Sequence, residues 1–426
     1  MLILILSSAF IVCLPRRYAT IPVLCVMAYL TQGQQLILAN FNLYPIRIII
    51  IFGWLRLFLR GEWRLLQLNI IDKIFILWVF ASLITYSLLY QTTQAFVYKV
   101  GFVYDVTGLY FLFRCLIKGI DDIVNIFSIM AILILPLAIF MLYEYNTNIN
   151  MFSYFGGVPE HGEIRDGRIR CRGAFQHPIL AGSFGASMLP LFSALWWQKG
   201  KKIISVIGIV SSTIIVVTSS SSGPLMAYIT GLAWLGLWRY RAYMKYIVWS
   251  SLGLVVILGV IMKAPIYYII DRIAGITGGS GWYRSYLIEQ FIEHFGEWWL
   301  LGTKESAKWM PFYLTDSNDR VFADITNHYV AQGVNGGLLT LTLFILIIVL
   351  CIRTIGSTLK QFSACQPAQQ YLIWTINATL IVHLASFLSV SYYDQVIVAW
   401  LLLLSMISML LDKHYAQTNI RCKHSS

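Results

Sequence analysis

The stretch YVAQGVNGGLLTLTLFILIIVLCI, residues 329 to 352, contains no Asp, Glu, Lys or Arg. At about 1.5 Å per residue, a helix of this length covers the roughly 30 Å hydrocarbon core of a bilayer. No water is available there for backbone N–H and C=O groups, so such a run must close its own hydrogen bonds as a helix. Similar apolar runs recur from end to end. They fall near residues 1 to 15, 20 to 36, 43 to 59, 72 to 91, 96 to 114, 123 to 144, 178 to 197, 203 to 219, 223 to 239, 246 to 262, 370 to 389 and 393 to 411. The first is short and opens at Met1, so it reads as a span, a fragment, a signal-anchor or the result of a misplaced start. Twelve or thirteen transmembrane helices are expected.

Composition points to the same class. Over 426 residues, 58% are hydrophobic and 12% charged, with a mean hydropathy of +0.71, values that soluble domains do not reach. The expected fold is therefore an all-α, polytopic integral membrane protein, organised as one domain over residues 1 to 426 without internal repeats, linkers or low-complexity tracts. Seven scattered cysteines form no CxxC pair or disulfide framework, and Cys171 alone is clearly external.

Lys and Arg are retained on the cytoplasmic side of membrane proteins, which orients the chain. Arg16 and Arg17, then Arg56, Arg60, Arg64 and Lys73, then Arg114 and Lys118, then Lys199, Lys201 and Lys202 fall on alternate connections. So do Arg239, Arg241 and Lys245, then Arg353 and Lys360, then the tail with Lys413, Arg421 and Lys423. This puts the C-terminus in the cytoplasm and leaves two long external loops, residues 145 to 177 and 263 to 328, as the expected cap of an active site. The net charge of +12 does not indicate nucleic acid, because 19 of the 31 Lys and Arg lie on cytoplasmic connections.

The remaining cations need a cause. Arg165, Arg168, Arg170 and Arg172 crowd one external loop, while Lys263, Arg272, Arg284, Lys304, Lys308 and Arg320 occupy the other. The first group precedes a helix opening at Pro178, a favoured first-turn residue. Guanidinium groups bind phosphate in bidentate fashion, and a helix N-terminus adds free N–H groups, so the combination suits a pyrophosphate at the membrane surface. The other reading is contact with anionic membrane lipids, or pairing with Glu160, Glu163 and Asp166.

In the second loop, SGWYRSYLIEQFIEHFGEWWL from Ser280 reads as a capped amphipathic helix. Leu287, Ile288, Phe291, Ile292, Phe295, Trp298 and Trp299 share its apolar face, and Arg284 projects near the centre of that face. Such a cation either snorkels or points into a site. Further on, Asp324, His328, Gln332 and Asn335 form a polar stripe at helical spacing, with His328 a candidate base and Asp324 its orienting carboxylate. The alternative makes Asp324 an N-cap and His328 a packed residue. Gly333, Gly336 and Gly337 suit close helix packing. Within spans, Arg47 and Lys99 are secondary candidates as phosphate ligands, and Asp105, His383 and Asp394 are further polar residues.

Four stretches together resemble the bacterial O-antigen ligases and polymerases and related exopolysaccharide polymerases. They are RCRGAFQHPILAG from Arg170, TSSSSGPLMA from Thr218, WYRSYLIEQF from Trp282 followed by LLGT from Leu300, and NHYVAQGVNGGLLT from Asn327. The like region covers about residues 165 to 350. The resemblance implies a GT-C-like glycosyltransferase of the bacterial inner membrane, with its active site facing the periplasm. It implies a glycan donor linked to undecaprenyl diphosphate, an acceptor hydroxyl on glycan, lipid or protein, and no need for a nucleotide sugar or metal. Other polysaccharide assembly proteins are implied partners. By motif position Arg172 and Arg284 hold the diphosphate, with Arg170 in support. Two departures, Thr326 where ligases carry histidine and Ser222 where an arginine is common, favour a polymerase. The alternatives are a ligase acting on lipid A core or protein, and a non-enzymatic exporter or flippase.

Overall fold

The computed structural model describes residues 2–34, 36–38, 41–276, 281–311, 314–315, 321–362 and 367–412. Ser280, Arg320 and the basic tail lie outside the described residues. The chain is mostly helical. Its first ten helices are α1 (Leu2–Cys13), α2 (Thr20–Tyr29), α3 (Pro45–Leu59), α4 (Ile70–Tyr90), α5 (Thr93–Leu116), α6 (Ile120–Thr147), α7 (Pro178–Leu195), α8 (Lys202–Thr218), α9 (Ser222–Gly236) and α10 (Met244–Ile261). There follow α11 (Ile269–Ile276), α12 (Gly281–Glu293), α13 (Phe295–Trp298), α14 (His328–Gln361), α15 (Pro367–Phe387) and α16 (Gln395–Met409). Three small antiparallel hairpins complete the described elements: β1 (Leu36–Leu38) with β2 (Phe41–Leu43), β3 (Glu163–Arg165) with β4 (Arg168–Arg170), and β5 (Leu314–Thr315) with β6 (Val321–Phe322).

Each of the thirteen expected spans contains a helix, and α11 to α13 lie in the second long connection. Among the described residues, six segments are long and apolar enough to cross a membrane: α4, α5, α6, α7, the α9–α10 pair joined through a 3-10 stretch, and α14. These are the lengths and compositions of a multi-pass membrane protein. The span expected over residues 20 to 36 is shorter than the sequence suggests, because α2 ends at Tyr29. The polar Thr31 and Gln34 that follow it turn away to bond the carbonyl oxygens of Gly156 and Phe155.

The centre of the bundle is α7, of whose 18 residues all but Ile179 and Ser193 are buried. Its small side chains let neighbours approach closely. A Cβ on Gly182 would collide with Ser219 and Pro224, and one on Gly185 would lie 2.8 Å from Ile215. In contrast, α10 buries no residue.

Charge is segregated to two ends. At one end the fully buried Arg114 bonds Asp72 Oδ1 at 3.0 Å and Asp412 Oδ1 at 2.9 Å, while Tyr110 and Ser408 also donate to Asp72. Asp72 completes a capping box with Asn69 at the start of α4. Arg16 pairs with Asp122 at 2.8 Å, and Arg56 pairs with Glu62 while donating to the carbonyl oxygens of Ile11 and Leu14. These residues belong to the connections grouped on one side by their Lys and Arg content. A buried pair is weak evidence of net stabilisation, but here every guanidinium is matched.

The second loop departs from one continuous amphipathic helix. It breaks at His294, so Leu287 and Trp298 are buried while Ile292, Phe295 and Trp299 are exposed. Its end is stitched into α14, which is itself interrupted at Gly337 (φ 72°, ψ −173°). Thr303 N donates to Val334 O at 2.9 Å, and Leu338 N donates to Trp299 O at 2.8 Å. Trp299 and the LLGT that follows it thus satisfy groups that the helix break leaves open. A Cβ on Gly337 would collide with Leu300 O, so this glycine serves a backbone break, where helix packing alone was expected. Gly337→Ala should cost about 1–3 kcal/mol through the backbone conformation alone. It should also free residues 299 to 303 to protease, measured with the unfolding temperature in detergent. An unchanged unfolding temperature would contradict this role.

Candidate functional site

The arginine segment is built on the β3–β4 hairpin, which turns through Asp166 and Gly167, both at positive φ. That Asp-Gly pair is a hairpin signal that sequence reasoning passed over. Beyond β4 the backbone is held residue by residue. Ser220 Oγ donates to Ile169 O, Cys171 N donates to Thr218 O, and the buried Glu144 of α6 accepts Arg172 N at 3.1 Å and Gly173 N at 2.9 Å. Gln395 Nε2 donates to Ala174 O at 2.8 Å, and Asn150 Nδ2 donates to Gly173 O at 2.9 Å. With the main chain satisfied in this way, the guanidinium groups stand on a rigid base.

Arg170 is buried, with Nη1 donating to Glu163 Oε1 at 2.9 Å and Nη2 donating to Ser221 Oγ at 3.0 Å. Ser221 precedes α9, and no side chain caps that helix. Arg284 reaches the same place from α12, its Nη2 lying 3.7 Å from the position of a Cβ on Gly223. The residue is 8% exposed, its Nε has no hydrogen-bond partner, and no carboxylate among the described residues pairs with it. Burial lowers its pKa, and the like charges of Arg165 and Arg170 lower it further. The Nε atoms of Arg170 and Arg172 are also buried without partners. An uncompensated buried cation beside a second arginine and an uncapped helix N-terminus is an arrangement suited to an anion. The helix concerned is α9. At the start of α7, Pro178 has no N–H and His177 Nδ1 already accepts Ile179 N, so the terminus expected from sequence is occupied.

Arg172 points elsewhere, donating from Nη1 to Gln176 O at 3.0 Å. His177 Nε2 lies 3.9 Å from Glu163 Oε2, within the field of Arg170 and Arg172. Burial and then the Arg170 charge bring its pKa down to about 4, against the opposing pull of Glu163, which leaves the ring neutral at pH 7. On the far side of Gln176 lies Asp394, whose Oδ2 accepts Gln176 N at 2.9 Å. Tyr393 shares the electrostatic field of Asp394, Asp324 and Arg172.

The structure does not join Asp324 to His328. The helix begins at His328 with Asn327 as its cap, whose Oδ1 accepts Tyr329 N and Val330 N. Asp324 therefore precedes the helix, off the helical wheel, and its side chain is exposed. His328 Nδ1 accepts Tyr392 N at 3.1 Å, which places the proton of the neutral ring on Nε2, 3.3 Å from the Gln332 amide nitrogen. Phe344 and Phe387 pack around it. Neither nitrogen keeps a free lone pair in that arrangement. Arg47 and Lys99 are committed as well. Asp105 takes Arg47 through two 2.8 Å bonds, and the Lys99 ammonium sits 4.5 Å from the Phe102 ring centroid and 4.9 Å from that of Tyr86. Among the described residues, no group of three His, Cys, Asp or Glu side chains is placed to hold a metal ion.

Replacing an unpaired buried cation by an apolar side chain removes a desolvation penalty. Arg284→Met should raise the unfolding temperature of the ligand-free protein in detergent. It should also abolish the stabilisation that inorganic pyrophosphate gives the unsubstituted protein. A variant that melts lower, or keeps the pyrophosphate shift, would contradict the site. Comparison with protein-family models and with curated proteins finds no match.

Proposed function

We propose that this chain is a GT-C-like membrane glycosyltransferase, of the kind represented by O-antigen polymerases and ligases, acting on a glycan carried by undecaprenyl diphosphate. The observation that supports it most is the uncompensated Arg284 beside Arg170 at the start of α9. A diphosphate supplies the negative charge that Arg284 lacks, and its isoprenoid chain suits a site set at the end of apolar helices. The reaction breaks the bond between C1 of the donor sugar and the diphosphate oxygen, while an acceptor hydroxyl forms the new bond to C1. Charge accumulates on the departing diphosphate, where fixed guanidinium groups are worth more than they are in water. Arg170 and Arg284 take the leaving group, and Arg172 lines the route towards the acceptor.

The positive-inside rule, applied to the arginines at the other end, supports the sidedness we assign. Arg16, Arg56 and Arg114 belong on the cytoplasmic side by the positive-inside rule, which sets the anion site in the periplasm and the carboxyl end of α16 in the cytoplasm. We assign the reaction as polymerisation, moving a lipid-linked chain onto another lipid-linked repeat of a surface polysaccharide in the bacterial inner membrane. Arg284→Ala should abolish long-chain polymer while the protein remains in the membrane, and should slow transfer by roughly 10²- to 10³-fold in detergent with purified lipid-linked repeats. Normal polymer length in that variant would sink the assignment. Full-length chains accumulating on the carrier lipid in a deletion strain would replace polymerase by ligase.

A further inference from the structure

Asp394 lies where the arginine segment meets α16, and nothing in the transfer described so far uses it. Its backbone, at φ 60° and ψ −152°, occupies a region that is essentially glycine's own and costs other residues about 1–3 kcal/mol. A residue at this position normally turns its side chain to cap the helix it precedes. Asp394 has no such side-chain cap bond. Oδ2 crosses instead to Gln176 N, and Oδ1 is buried with no partner. Gln176 also receives Arg172 at its carbonyl oxygen, so one residue separates the carboxylate from the Arg172 guanidinium. Strain together with an unsatisfied buried oxygen is unusual in a residue that serves packing alone.

We infer that Asp394 is the proton acceptor for the acceptor hydroxyl, an assignment that rests on the diphosphate-linked transfer proposed above. Oδ1 takes the hydroxyl proton as the oxygen bonds to C1 and the electron pair of the broken bond leaves on the diphosphate. The carboxyl then returns that proton to water. No oxidant, reductant or second reactant is needed.

The N–H groups of Gln176 and Gln395 act on the Asp394 carboxyl, its neighbour Tyr393 feels the charges of Asp394, Asp324 and Arg172, and His328 and His383 bond the adjacent Tyr392. Burial raises the Asp394 carboxyl to about 7, against the lowering effect of the N–H groups of Gln176 and Gln395. The carboxylate form, which alone can accept a proton, therefore gains population as pH rises through about 7, and transfer should rise with it. Folding stability runs the other way, falling from the ordinary carboxylate range up to about pH 7, because the folded state holds the proton more tightly than the unfolded chain.

The test is Asp394→Asn in purified full-length protein, with Asp324→Asn handled identically. Asn keeps the bond from Gln176 and tolerates positive φ as well as Asp does. Transfer from lipid-linked repeats should fall about 10²- to 10⁴-fold and lose its rise with pH. Binding of farnesyl diphosphate should change less than about threefold. By infrared spectroscopy, a protonated-carboxyl band should disappear near pH 7 in the unsubstituted protein and should be missing from the Asp394 variant. Near-normal transfer, an unchanged pH midpoint, a midpoint that moves with Asp324, or loss of farnesyl diphosphate binding would each overturn the assignment. If the unsubstituted protein forms no polymer, the transfer reaction itself falls, and the base falls with it.

Discussion

The arrangement of the site depends on Glu144. This carboxylate is 1% exposed near the end of α6 and spends both oxygens on consecutive backbone N–H groups, those of Arg172 and Gly173. A buried carboxylate is costly unless it is bonded in this way. Gly173, at φ 55°, comes so close to α6 that a Cβ would press to 3.0 Å on Leu137 and Met141. Bonds from Asn150, Gln395 and Asp394 then complete the segment. Because the backbone is satisfied by neighbours, the arginine side chains need not secure it. That is preorganisation in the physical sense: the charges are oriented during folding.

The two ends of the molecule solve opposite problems with the same residue type. Arg114 and Arg56 have no exposed surface and are surrounded by carboxylates and carbonyl oxygens. Arg284 is nearly as buried and meets other arginines. The first pattern is that of a structural joint, since Arg114 brings α4, α5 and the residues after α16 to one place. The second gives up stability and leaves a buried charge without a counter-ion from the protein.

Much of the architecture was legible in the sequence, because hydrocarbon thickness dictates the length of apolar runs and the cost of charge dictates where Lys and Arg fall. Arg284 and the loop arginines as a group could be singled out because a cation on an apolar face or in such a loop breaks those rules, but the sequence ranked Arg172 above Arg170, the one that lies near Arg284. What escaped notice depends on helix starts and distant partners. The wheel that joined Asp324 to His328 assumed a helix already under way at residue 324, whereas Asn327 starts it. Arg47 and Asp105 are 58 positions apart, a pairing no local pattern carries. Asp394 looked like a charge inside the apolar run 393 to 411, and only the start of α16 at Gln395 places it in a connection beside Gln176. Glu144 gave no signal beyond lying at the end of a span.

External loops usually tolerate gain or loss of residues because their backbone bonds to water. The segment at Trp299–Thr303 differs, since its main chain supplies Trp299 O to Leu338 N and Thr303 N to Val334 O across the break in α14. Leu300, Leu301 and Gly302 must span the distance between those two bonds, with Gly302 at φ 96° making the turn against Val334. One residue more or fewer would shift the second bond out of register with the helix it completes. Evolution of this loop is therefore confined to substitution here, and length variation is pushed to the stretches on either side, away from the seam that holds α12 and its arginine to the bundle.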